Sequence, residues 1–126
     1  MQQIDLTQKA EINLYYDLWV PDELADAAPL LIAVHGYGAH KRYMLREARL
    51  VAPDNFVIAS IQAPHPHFRS TPDGYRVGYG WLSDQKSEEY VRLHHKFVLD
   101  VIAKLASDGL IDERRIYIYG FSQACA

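Results

Sequence analysis

Arg115-Ile-Tyr-Ile-Tyr119, followed at once by Gly120-Phe-Ser-Gln-Ala124, is the stretch that decides the fold. The first five residues are rich in β-branched and aromatic types and read as a strand. The next five match the Gly-x-Ser-x-Gly nucleophile elbow, with alanine in the last place. The spacing has a physical cause. The serine sits on a tight strand-to-helix turn, so the residues two before and two after it must be small. Gly120 and Ala124 meet that need, alanine less comfortably than glycine. The turn exposes the serine oxygen and aims the next main-chain N–H, that of Gln123, at a developing oxyanion. Ser122 is therefore the candidate nucleophile and Gln123 a candidate oxyanion donor.

Upstream, apolar strands alternate with helices. Glu11 to Val20 alternates Ile12, Leu14, Tyr16 and Leu18 with mostly polar partners, the pattern of a half-buried strand. Pro29-Leu-Leu-Ile-Ala-Val34 and Phe56-Val-Ile-Ala-Ser60 are continuous apolar runs, as in strands buried on both faces. His40 to Ala52 carries Met44, Ala48 and Val51 on one helical face. Ser87 to Ser107 is the clearest helix, with Ser87 as the expected N-cap and Gly109 as the expected stop. Gln62 to Gly80 holds three prolines and three glycines and reads as a long loop, the kind that is usually functional. The order β, β, α, β, α, β predicts a mostly parallel sheet with helices on both faces. Right-handed crossovers bring His35-Gly36, Ala63-Pro64 and Gly120-Phe121-Ser122 to one sheet edge, where ligands bind in open α/β sheets. The turn His35-Gly-Tyr-Gly38 follows its strand directly, so the Tyr37 N–H is the second candidate oxyanion donor. Each such donor contributes roughly 3 kcal/mol of transition-state stabilisation.

Composition narrows the function classes. The chain has 126 residues, 49% of them hydrophobic and 23% charged, which is ordinary globular usage and predicts a single domain over residues 1–126. Thirteen basic against 16 acidic residues leave a net charge of −3 and no basic surplus for a nucleic-acid partner. The single cysteine, Cys125, suits a reducing compartment. The N-terminus lacks the basic and apolar regions of a signal peptide, and no apolar run is long enough for a membrane span. The expectation is a cytoplasmic protein without a membrane or nucleic-acid partner.

Taken in order, His35-Gly-Tyr-Gly38, Ala63-Pro64, Gly78-Tyr-Gly-Trp81, Asp112-Glu-Arg-Arg-Ile116 and Gly120-Phe-Ser-Gln-Ala124 resemble the α/β-hydrolase superfamily. Within it, the set is most similar to the small carboxylesterase/lysophospholipase-type branch. The resemblance covers about residues 11–126. It implies Ser122 as nucleophile, the Tyr37 and Gln123 amides as oxyanion hole, and Trp81 as a wall of the acyl pocket. It also implies hydrolysis of a small-molecule carboxylic ester with no metal and no organic cofactor.

The superfamily's triad runs serine, acid, histidine. Only Gln123, Ala124, Cys125 and Ala126 follow Ser122 here, so the acid and the base are missing downstream. The expected fold is thus a partial α/β-hydrolase fold, truncated after the nucleophile elbow. Its Ile116–Tyr119 strand forms an apolar edge that invites a homo-oligomer or a complementing segment. The competing expectation is a catalytically silent hydrolase half that serves as an oligomerising or binding module. Other readings are weaker. His35 is the least unfavourable upstream substitute for the base, although it more commonly orders the loop through a hydrogen bond. His65, His67, His94 and His95 lack the spacing of a known metal site. Ser83-Asp-Gln-Lys86 lacks the companion motifs of penicillin-interacting enzymes. The 35–38 turn lacks a P-loop signature. Cys125 as an alternative nucleophile fits poorly beside Ser122.

Overall fold

The computed structural model describes residues 1–24, 26–120 and 122–125. Four strands form the main sheet: β1 (Tyr16–Trp19), β2 (Ala28–Val34), β3 (Val57–Ile61) and β6 (Ile111–Gly120), in the order β1-β3-β2-β6. β2 pairs with β3 and with β6 in parallel, and β1 adds antiparallel to β3. The two inner strands are buried along their whole length, as their unbroken apolar runs require.

Alternate residues of those strands feed two separate cores. Leu30, Ile32, Val34, Val57, Ala59 and Ile61 face helix α2 (Ser87–Ser107), which contributes Phe97, Val101 and Leu105. Leu31, Ala33 and Ile58 face helix α1 (Lys41–Val51), which contributes Met44 and Ala48. One helix therefore covers each face of the sheet, as the alternation of elements predicts.

The helix ends obey simple rules, with one departure. His40 caps α1, its Nδ1 accepting the Tyr43 N–H at 3.1 Å. α2 ends at Ser107 with Asp108 as its cap, and Gly109 follows at φ +75°, where Leu110 N–H donates to Leu105 O at 3.1 Å and Gly109 N–H to Ala106 O at 3.0 Å. At its start the cap is Lys86, at φ +56°, with no side-chain cap bond; Ser87 is already helical. Glu88 and Glu89 in the first turn supply the negative charge that favours a helix N-terminus.

The stretch read as a long loop is largely a β-hairpin. β4 (His65–Thr71) and β5 (Gly74–Gly80) pair antiparallel around Pro72 and Asp73. Pro66 is tolerated because, among the described residues, β4 pairs only with β5. The hairpin escapes a periodicity reading because, among the described residues, its link to the apolar core is confined to Tyr79. One face meets the 35–38 turn through glycines and polar side chains, and the other leaves Phe68 and Val77 exposed.

Among the described residues, no helix is long and apolar enough to cross a membrane.

Candidate active site

Ser122 stands two residues beyond the end of the inner sheet pairing, in the left-handed region at φ +63°. A side-chain-bearing residue seldom adopts that conformation, and where it persists it marks a turn the surroundings enforce. Ser122 is exposed, and residues Ser122–Cys125 form one short 3-10 turn after it. Phe121, the second residue of the elbow, lies outside the described residues. The Cys125 side chain, weighed as an alternative nucleophile, lies outside them too.

Space explains the small residues of the elbow. A Cβ on Gly120 would fall inside the van der Waals envelope of Val34 Cγ2 and lie 3.1 Å from Val34 O. Ala124 is buried, and its carbonyl accepts the His94 Nε2–H at 2.9 Å. α2 thus holds the residue two beyond the serine.

The 35–38 turn is held from two sides. His35 is fully buried: its Nε2 accepts the Ala63 N–H at 3.0 Å, so the ring proton sits on Nδ1 and is donated to Gly36 O at 2.8 Å. Both ring nitrogens are committed, so His35 does not serve as a substitute base. Its role is the ordering of the loop. From the other side β5 clamps the turn: Gly38 N–H donates to Tyr79 O at 2.9 Å and Tyr79 N–H to Ala39 O at 3.1 Å. Arg69 Nη1 of β4 donates to Gly38 O at 3.0 Å. A Cβ at Gly78 would collide with that same carbonyl, so the approach requires glycine there. The Tyr37 N–H has no acceptor among the described residues. Its exposed ring stacks on His67 at 4.6 Å between centroids.

The two candidate oxyanion residues approach each other at Gly80. A Cβ there would lie 3.4 Å from the Tyr37 ring and 3.5 Å from Gln123 Oε1. Sequence reasoning missed the side chain of Gln123 altogether. Its Oε1 accepts the main-chain N–H of Trp81 at 2.7 Å and of Leu82 at 3.3 Å. No local pattern signals this, because the partners are about forty residues apart.

Trp81 is 1% exposed. Its ring is flanked by the rings of His35, at 5.2 Å, and His94, at 4.1 Å, and its Nε1–H donates to His35 O at 2.8 Å. His94, read as marginal on the helix's apolar face, is buried, and its Nδ1 finds no partner among the described residues. Among those residues no group of three or more histidine, cysteine or acidic side chains is placed to hold a metal ion.

Comparison with known proteins places this geometry in a wider setting. No protein-family model matches the chain, and no curated protein matches it. Among solved structures it is similar to YahD, in a structure with malic acid, at TM-score 0.56 and 22% identity. The similarity covers 89% of this chain and 53% of YahD, so the chain spans about half that protein's length. The likeness is one of fold. The architecture is compatible with a partial α/β-hydrolase-like fold.

Burial pushes the pKa of both His35 and His94 below the ordinary histidine value of 6.5. The folded chain therefore binds fewer protons than the unfolded chain just below pH 6.5. Stability is fully present above that pH and declines as pH falls, until the folded-state values are passed. Within the window each histidine removes up to about 1.4 kcal/mol per pH unit. Thermal melts from pH 7.5 to 5 should show the midpoint falling below pH 6.5, and the fall should be shallower in His94→Gln. A flat profile would show that these histidines are not held neutral.

Proposed function

We propose that the chain is the nucleophile-bearing part of a serine hydrolase acting on small carboxylic esters. The observation that carries this reading is the left-handed backbone of Ser122, just beyond a parallel strand whose last pair sets Gly120 opposite Val34, the residue before the 35–38 turn. Ser122 Oγ attacks the ester carbonyl, and the oxyanion is met by the main-chain N–H groups of Tyr37 and Gln123. The alcohol leaves with a proton, and water then releases the acyl group from Ser122. Trp81 backs the acyl pocket from within, its indole buried between two histidine rings. No metal or organic cofactor enters these steps.

A serine hydroxyl is a weak nucleophile until a base accepts its proton. His35 is committed to the loop, so in this reading the acid and the histidine come from outside these 126 residues. The same reading has β6 completed by a further strand or a second copy, because it stands at the sheet edge with Tyr117 and Ile118 exposed.

Intact-mass spectrometry before and after a fluorophosphonate probe tests the proposal. A single, slowly formed adduct is expected, mapping to Ser122 and absent in Ser122→Ala, because the oxyanion hole by itself retains about 10³–10⁴-fold over water when triad members are missing. An unreacted wild-type chain would overturn the reading. If that chain also self-associates in sedimentation, the binding-module alternative takes its place, since an exposed strand edge is then its main asset.

A further inference from the structure

Gln123 contributes to the elbow twice, and only its main chain is used in the mechanism above. Its side-chain oxygen receives two N–H groups from the segment that leaves β5: Trp81 at 2.7 Å and Leu82 at 3.3 Å. That same segment reaches the other candidate oxyanion element through the indole. Trp81 Nε1–H donates to His35 O at 2.8 Å, and His35 opens the turn that carries Tyr37. The imidazole of His35 fastens the turn further, to Gly36 O at 2.8 Å and to the Ala63 N–H at 3.0 Å. A continuous run of hydrogen bonds therefore joins the residue after Ser122 to the 35–38 turn. Both ends of the run carry an N–H assigned to the oxyanion.

Resting on the serine-hydrolase reading, we infer that the Gln123 side chain is a positioning residue that sets the separation of the two oxyanion donors through Trp81. The physical ground is specific. Oxyanion stabilisation depends on donors that are already in place, and a misplacement of about 1 Å can cost a hundredfold in rate. The 3-10 turn after Ser122 has little of its own to hold it. Its described attachments are the His94 bond to Ala124 O and the two bonds to Gln123 Oε1. Removing the side-chain oxygen leaves two partly buried N–H groups without an acceptor, and the turn then relaxes away from β5. Position 80 lies in the same arrangement, within van der Waals reach of both the Tyr37 ring and Gln123 Oε1.

The experiment is fluorophosphonate labelling kinetics on the full chain, with Gln123→Met, which keeps the volume and loses the acceptor, and Gln123→Glu, which keeps an acceptor. Gln123→Met should slow the saturating phosphonylation rate constant by about tenfold to a hundredfold, with the probe's half-saturating concentration changed less than about twofold. Gln123→Glu should restore the rate to within about threefold of wild type. A purely structural role would lower the melting midpoint without separating the two variants in rate. Should Gln123→Met not melt cooperatively, Gln123→Asn, whose oxygen falls one methylene short, carries the comparison with the same expected loss. Equal rates for wild type and the acceptor-less variant would overturn the positioning role alone, as would equal losses in Gln123→Met and Gln123→Glu. Absence of labelling in the wild type would overturn the serine-hydrolase reading, and this role with it.

Discussion

Gly120→Ala lowers the stability of the chain by about 2–3 kcal/mol, the cost of forcing extra volume into a packed site, and removes the reactivity of Ser122. The added methyl group lands on Val34 Cγ2, with Val34 O only 3.1 Å away, so rotating the valine relieves part of the clash and not all of it. Val34 is 2% exposed and sits in the core that faces α2, where little empty space is at hand to receive a displaced side chain. β6 must then shift away from β2, and the register that sets Val34 opposite Gly120 carries Ser122 with it. Urea unfolding of Gly120→Ala, Val34→Ala and the double variant measures this directly. A favourable coupling of about 1–2 kcal/mol is expected in the double variant, because removing Cγ2 makes room for the new methyl group. Strict additivity would mean that the two residues do not crowd each other.

The second large effect belongs to Trp81. Trp81→Ala should cost about 3–5 kcal/mol, the usual range for emptying a fully buried aromatic site. A domain of this size commonly has only about 5–15 kcal/mol in total, so the variant sits near the edge of folding. Two terms combine. The rings of His35 and His94 lose the surface they pack against, and the His35 carbonyl loses its indole donor. Trp81→Phe separates them: it restores most of the packing and leaves the carbonyl unpaired, at about 1–3 kcal/mol. Thermal melts of both variants should therefore rank wild type above Trp81→Phe above Trp81→Ala. A Trp81→Ala variant within about 1 kcal/mol of wild type would contradict the buried position of the ring.

Much of this architecture is legible in the amino-acid order. The continuous apolar runs of β2 and β3 can lie only where both faces are covered, and α1 and α2 provide the cover. α2 is readable over its whole length, Ser87–Ser107, because its apolar stripe has helical spacing and Gly109 ends it. Its cap is not, because Lys86 takes a left-handed conformation that no local preference announces. β1 is shorter than its alternation suggests, covering only Tyr16–Trp19. There the pairing with β3, from Tyr16 opposite Ile61 to Trp19 opposite Ile58, sets the extent. The hairpin of β4 and β5 is hidden for a related reason. Its prolines and glycines look like loop punctuation, yet Gly78 is there to let β5 approach the 35–38 turn.

The order of residues by itself determined the alternation of strands and helices, the small residues around Ser122, and the gathering of the strand ends at one edge. Each follows from local periodicity or from the steric demand of a single tight turn. Tertiary structure alone decided that His35 spends both ring nitrogens on the loop, that Trp81 is enclosed by two histidines, and that the Gln123 side chain is tied to β5's exit. Apart from the His35 bond to Gly36 O, those contacts join segments that are far apart in the chain. Hydrogen-bond partners at such separations follow from how sheet, hairpin and helix pack together, and no local pattern encodes them.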